Sequence, residues 1–217
     1  MASLIDVFNR VFFSTDKNFI PKIEQLLYYI KEMSEMLVYI SGTNNRTKRN
    51  SICVRVQELE KKVKEDSIKI IRGLDNNFLT EIGREDIIAI SKISERISER
   101  ILEACETIDY FLEDSNGSVQ MIELCISIRE CVSAISICFK HISKSTSKLD
   151  IKASTEKIGY YSKFAERSYC IIKAEVLGIK GDKIYQIKLS EWLDRLNDIT
   201  EQCIEANYIF DQILIKK

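Results

Sequence analysis

Residues 52–78, ICVRVQELEKKVKEDSIKIIRGLDNNF, decide the architecture. Ile52, Val56, Leu59, Val63, Ile70, Leu74 and Phe78 follow a seven-residue pattern, the spacing that lays one apolar stripe along a helix. Glu58, Glu60, Lys61, Lys62, Lys64 and Glu65 fall between them and supply a solvated face. The reading is a long amphipathic helix that ends near Asn77 and Thr80.

Upstream, the polar run Ser41 to Asn50, with Gly42, Asn44 and Asn45, is predicted as a loop. Before it, Ile23, Leu26, Leu27, Ile30, Met33, Leu37 and Ile40 predict a helix entered from Ser14 to Asp16, with Pro21 in its first turn or kinking it. A short segment, Ser3 to Phe13, precedes it and is apolar on the side of Leu4, Ile5, Phe8 and Phe12. Downstream, Ile87, Ile90, Ile97, Ile101, Ala104 and Ile108 predict a third helix from about Gly83 to Phe111, closed by Asp114 to Gly117. The fourth, roughly Ser118 to Ser143, is apolar nearly all round and should be the most buried. After Ser145 to Ser147, a fifth carries Ile158, Tyr161, Ala165, Tyr169, Ile172 and Val176 and stops at Gly178 and Gly181. A sixth runs from about Asp182 through Trp192, Leu196, Ile199, Cys203, Ala206, Phe210 and Leu214.

The expected fold class is therefore all-α, with six long helices made antiparallel by short polar loops. A helix of ~30 residues spans ~45 Å, so the bundle should be elongated. The Asp114 to Gly117 loop lies near the midpoint and separates two three-helix halves, approximately 1–115 and 116–217, of a single domain.

Composition agrees. With one proline, seven glycines, 45% hydrophobic and 30% charged residues in 217, the chain has few helix breakers and enough apolar material for a core. A net charge of −1 gives no overall positive field to attract nucleic acid or an anionic membrane. Met1 to Phe13 lacks the layout of a signal peptide, and the most apolar stretch, Met121 to Ile142, is interrupted by Glu123, Arg129, Glu130 and Lys140, as in a buried bundle helix. Seven cysteines, an odd number without a Cys-x-x-Cys pair, read as small core residues in a reducing cytoplasm.

Chemistry has few places to sit. His141 is the sole histidine and has no nearby acid to fix its tautomer, which points to a partly buried structural role. No Gly-rich phosphate loop occurs, so nucleotide hydrolysis is not expected. Carboxylates four apart on a helix share one face, where they could hold a hard metal ion. Glu95 and Glu99 form one such pair, and Asp194 and Asp198 another, beside Glu191, Glu201 and Glu205. A solvated acidic stripe is the plain alternative.

Several segments resemble the PhoU-like phosphate transport regulators, in the branch that accompanies Pit-type phosphate transporters. Phe78 to Ile90, FLTEIGREDIIAI, is similar to that branch's F-[IL]-T-P-x-x-R-E-D-I-x-x-L signature, with Glu81 in place of proline. Leu59 to Leu74 resembles the segment leading into it, and WLDRLNDITEQCIEANYIF, from Trp192, resembles the closing helix. The resemblance implies a six-helix fold in two halves, with acidic E/D-x-x-x-D pairs on the second, third, fifth and sixth helices that bind divalent or iron-type metal ions. Carried over, the pairs fall on Glu60 and Lys64, on Glu95 and Glu99 beside Arg96, on Ser162 and Glu166, and on Asp194 and Asp198. Only Asp194 and Asp198 keep the pattern intact. The candidate metal ligands are thus Glu60, Glu95, Glu99, Glu166, Asp194 and Asp198, and Lys64 and Arg96 are expected to oppose a cation and to pair with the remaining acids.

The resemblance implies a non-catalytic accessory protein that docks on an inorganic phosphate transporter of the Pit type at the cytoplasmic face of the inner membrane. Two other readings stand beside it. One is a metal-binding bundle or carboxylate-metal enzyme built on the Glu95/Glu99 and Asp194/Asp198 faces. The other is a self-associating scaffold, a homodimer joined through exposed tyrosines and the apolar N-terminal segment.

Overall fold

The structure, a computed structural model, describes residues 19–74, 82–112, 117–179 and 182–216, with the side chains of residues 111 and 112 excepted. Within them lie six helices and no strand: α1 Phe19–Ser41, α2 Arg46–Leu74, α3 Arg84–Leu112, α4 Val119–Ser143, α5 Lys148–Leu177 and α6 Lys183–Lys216. The Ser3 to Phe13 segment, the helix entry at Ser14 to Asp16, and Phe78, Thr80, Asp114 and Gly181 fall outside the described residues.

Local chemistry sets the helix ends. Pro21 sits in the first turn of α1, where a missing N–H costs no helical hydrogen bond. The polar run after α1 is a shorter loop than its composition suggests. The Asn45 side chain accepts from the Lys48 N–H at 3.0 Å and so caps a helix that begins at Arg46, making Arg46 to Asn50 the first turn of α2. Ser118 caps α4 by accepting from the Met121 N–H, Ser147 caps α5 through Asp150, and the Asp182 carboxylate accepts from the Ile184 and Tyr185 N–H groups at the start of α6. Glu85 and Asp86 stand in the first turn of α3, the favourable end of its dipole. A Cβ at Gly83 would come 2.8 Å from Asp86 Oδ2, so a larger residue there would have to displace that carboxylate.

Between α4 and α5, Ser145 takes a left-handed φ of 49° as the chain leaves the helix. Replacing Ser145 with glycine removes the Cβ clash of that conformation and should stabilise the protein by about 1 kcal/mol in urea unfolding.

The apolar stripes decide which helices meet. In the first half α1, α2 and α3 pack on one another, and in the second α4, α5 and α6 do the same. The halves join through α1 against α4 and α3 against α6. The inner layer is therefore α1, α3, α6 and α4, with α2 and α5 on its two flanks. Val56, Leu59, Val63, Ile70 and Leu74 of the opening stretch are buried, Ser67 fills the stripe position between Val63 and Ile70, and Ile52 is half-buried. Trp192 lies wholly inside on α6 and donates its indole N–H to the Ala104 carbonyl of α3 at 3.1 Å, pinning the seam between halves.

Candidate functional site

The expected carboxylates lie along two seams. On the first, α2 and α3 run side by side, and Glu60 and Lys64 point from successive turns of α2 toward Glu99 on α3. The Lys64 ammonium stands 2.6 Å from Glu60 Oε1 and 2.9 Å from Glu99 Oε1. It occupies the position between two helices where a shared cation would sit. Hydrogen bonds to Glu60 and then to Glu99 hold its pKa above the usual lysine range. Glu95, one turn earlier on α3, is engaged by Lys92 Nζ at 2.8 Å and by the buried Ser67 hydroxyl, which donates at 3.4 Å. Arg96 does not turn to these acids. It reaches across to Glu205 on α6 and so ties the two halves together.

On the second seam, Lys173 of α5 holds Asp194 of α6, with Nζ 2.5 and 2.6 Å from the two carboxylate oxygens. The Tyr169 hydroxyl donates to the same carboxylate at 2.6 Å, and Lys173 also donates to the Ser190 carbonyl at 3.2 Å. Asp198, one turn on, is half-buried and feels Arg100, which pairs with Glu103 at 2.7 Å. Glu166 is exposed, while Ser162 on the same helix is buried, donating to the Ile158 carbonyl and lying 3.4 Å from Cys131 Sγ.

Sequence reading missed Lys173 and Tyr169. Neither has a local spacing that marks it. Their signal is the packing of α5 on α6, which brings the Tyr169 to Lys173 turn opposite Ser190 and Asp194. Across the described residues, no three histidine, cysteine, aspartate or glutamate side chains come together closely enough to hold a metal ion.

The hydrogen bond to Asp194, with burial adding to it, pushes the Tyr169 phenol up to about 12. An unfolded tyrosine titrates near about 10, so the contribution of this hydroxyl is full below about pH 10 and is lost as pH rises toward 12. Tyr169→Phe should cost about 1 kcal/mol at neutral pH. Urea midpoints measured upward from pH 9 should show the gap to wild type closing; a gap unchanged at pH 12 would contradict the bond.

The remaining candidates are structural. His141 Nδ1 lies 2.9 Å from Ser154 Oγ and 3.2 Å from the Asp150 carbonyl, fastening the end of α4 to the start of α5. Cys105, Cys125, Cys131, Cys138 and Cys203 are buried, Cys53 is half-buried, and all are free thiols. Burial pushes Cys125 and Cys138 up to about 12 and Cys53 to about 11. Cys170 departs from the core reading and is exposed on α5. A small cleft of about 170 Å³ opens between α1 and α4, where Lys31 and Lys140 are partly offset by Glu24 among Tyr28, Ser133 and Ser136. Its mixed charge gives no single-sign field for an anion.

No protein-family model matches the sequence, and no curated protein matches it. Solved structures do. A PhoU-like protein from Shewanella oneidensis MR-1 superposes with a TM-score of 0.74 at 9% identity, over 91% of this chain and all (100%) of that one. A putative PhoU-like phosphate regulatory protein from the same organism gives 0.68 at 7%, over 92% of this chain and 97% of that one. The class is thereby defined as an all-α bundle with the PhoU-like fold. At these identities the likeness carries the fold, and the chemistry must be taken from the side chains of this chain.

Proposed function

We propose that this chain is a non-catalytic regulator of phosphate transport that acts by docking on a Pit-type transporter at the cytoplasmic face of the membrane, as one domain with halves at about 1–115 and 116–217. The fold shared with a protein described as a phosphate regulatory protein supports the phosphate side of the reading. One observation carries the mechanism: Lys64 bridges Glu60 and Glu99, and Lys173 grips both oxygens of Asp194. A divalent ion needs several anionic oxygens converging at about 2.0–2.6 Å, and an ammonium already seated among them repels it. In this chain, protein cations hold together the helices that metal ions would join, which leaves a bundle suited to binding a partner by its surface.

None of the described helices is long and apolar enough to cross a membrane. Docking would therefore be to a protein or a membrane surface. Phosphate uptake in cells carrying the transporter, measured with and without this protein, tests the reading. A changed uptake rate is expected, and identical uptake in both would remove it.

A further inference from the structure

Helix α5 stands on the flank of the bundle with α4 and α6 as its packing partners, so its third side faces outward. That side is not polar. Leu149, Tyr160, Phe164 and Ile171 are 77%, 65%, 47% and 53% exposed. Leu149, Tyr160 and Ile171 recur every eleven residues, about three turns, so they stand in one line with Phe164 beside them. The stripe from Leu149 to Ile171 is about 33 Å long at 1.5 Å per residue. Beyond its end, Leu177 and Ile179, with Ile184, Tyr185 and Ile187 at the start of α6, add further exposed apolar surface. Among the described residues, nine of the eighteen exposed large hydrophobics thus lie between positions 149 and 187. Such a concentration is not the scatter of single apolar residues found on any surface.

Apart from the cap residue Asp150, the outward side of α5 carries more cations than acids, with exposed Lys152, Lys157, Lys163 and Arg167 against Glu156 and Glu175. Lys157 and Lys163 lie on either side of the stripe, and Arg167 stands within it, about five turns on from Leu149. Glu156 is partly offset by Lys152 at 4.0 Å.

We propose that the outer face of α5 lies flat against an anionic lipid surface, with Tyr160, Phe164 and Ile171 entering the headgroup boundary while Lys157, Lys163 and Arg167 reach lipid phosphates. An interfacial helix has this layout, an apolar stripe with long cationic side chains that extend along its edges to the headgroups. Tyr160 at the middle of the stripe has the ring and hydroxyl that favour such a boundary. A second copy of the chain is the competing occupant of this face, and light scattering distinguishes the two. The site is separate from the carboxylate seams, and it does not depend on a transporter.

Co-sedimentation of the full chain with vesicles of equal phosphatidylglycerol and phosphatidylcholine, against vesicles of phosphatidylcholine alone, tests the proposal. Binding to the anionic vesicles at low salt is expected, and it should fall as salt is added. Phe164→Glu with Ile171→Glu should weaken it about tenfold, and Lys163→Glu with Arg167→Glu by a similar factor. All four positions are exposed, and circular dichroism of each variant serves as the control that its helices are kept. Absence of binding to anionic vesicles at low salt, or full binding by the Phe164→Glu, Ile171→Glu variant, would overturn the proposal. So would light scattering that shows a dimer dissociated by the same pair, which would give the face to a second copy. The vesicles contain no protein, so failure here leaves the uptake experiment standing, and failure of uptake leaves this one standing.

Discussion

Arg49→Ala is expected to destabilise the fold by about 3–5 kcal/mol, among the largest effects of any single change to a charged residue in this chain. The Arg49 guanidinium is fully buried, with its Nε donating to the Thr43 carbonyl at 2.7 Å and Nη1 standing 2.9 Å from Asp109 Oδ1. It thus joins the α1–α2 loop, the first turn of α2 and the last turns of α3. Removing it leaves the Asp109 carboxylate, only 18% exposed, to Arg46, whose Nε is 3.7 Å away and whose side chain is mostly in water. The part-buried bond to the Thr43 carbonyl is lost as well. The cost is chiefly that of a stranded carboxylate, so Asp109→Ala in the same chain should restore part of it. A double-mutant cycle in urea should therefore be strongly non-additive. A loss below about 1 kcal/mol for Arg49→Ala alone would mean that the guanidinium is not a structural tie.

Trp192→Ala is expected to cost a similar amount, about 3–5 kcal/mol, for a different reason. Trp192 is wholly buried between α6 and α3, and its removal opens a cavity on the seam that joins the halves. The Ala104 carbonyl that accepts from the indole belongs to a helix and keeps its helical bond, so the missing hydrogen bond adds little beside the lost packing. Trp192→Phe should lose much less, because most of the volume remains. Trp192 is the sole tryptophan, so its fluorescence reports this seam directly in the wild type, and circular dichroism follows the variants.

Much of the fold was legible because helix formation is local. The stripe through Val56, Leu59, Val63, Ile70 and Leu74 predicts the buried face of α2, and the Ile87 to Ile108 series predicts that of α3. Capping was harder to read. Asn45, Thr47 and Asn50 look like loop on composition, yet one side-chain hydrogen bond from Asn45 starts a helix within that run. Arg49 shows the same difficulty, since nothing nearby in sequence marks an arginine that will be enclosed by an aspartate sixty residues away.

The candidate site was legible at the level of residue type and less so in its pairings. The i, i+4 spacing places Lys64 beside Glu60, and the structure adds Glu99 as its second partner. Arg96 lies next to Glu95 in sequence, but adjacent residues on a helix point about 100° apart, and it pairs with Glu205 instead. Lys173 and Tyr169 could be matched to Asp194 only after the register of α5 on α6 was known. Contacts between helices depend on register and rotation together, and a single sequence fixes neither.

The three cations carry one account. Lys64 and Lys173 join α2 to α3 and α5 to α6 through candidate metal carboxylates, and Arg96 joins α3 to α6 through Glu205, which is not one of them. These contacts are partly exposed and screened, so each contributes modestly to stability. Their larger effect is on what else can bind there. The direct test is elemental analysis of the full chain, purified without chelator and then dialysed. The ion-pair account predicts only trace metal after dialysis, whereas divalent or iron-type metal retained in near-stoichiometric amount would contradict it.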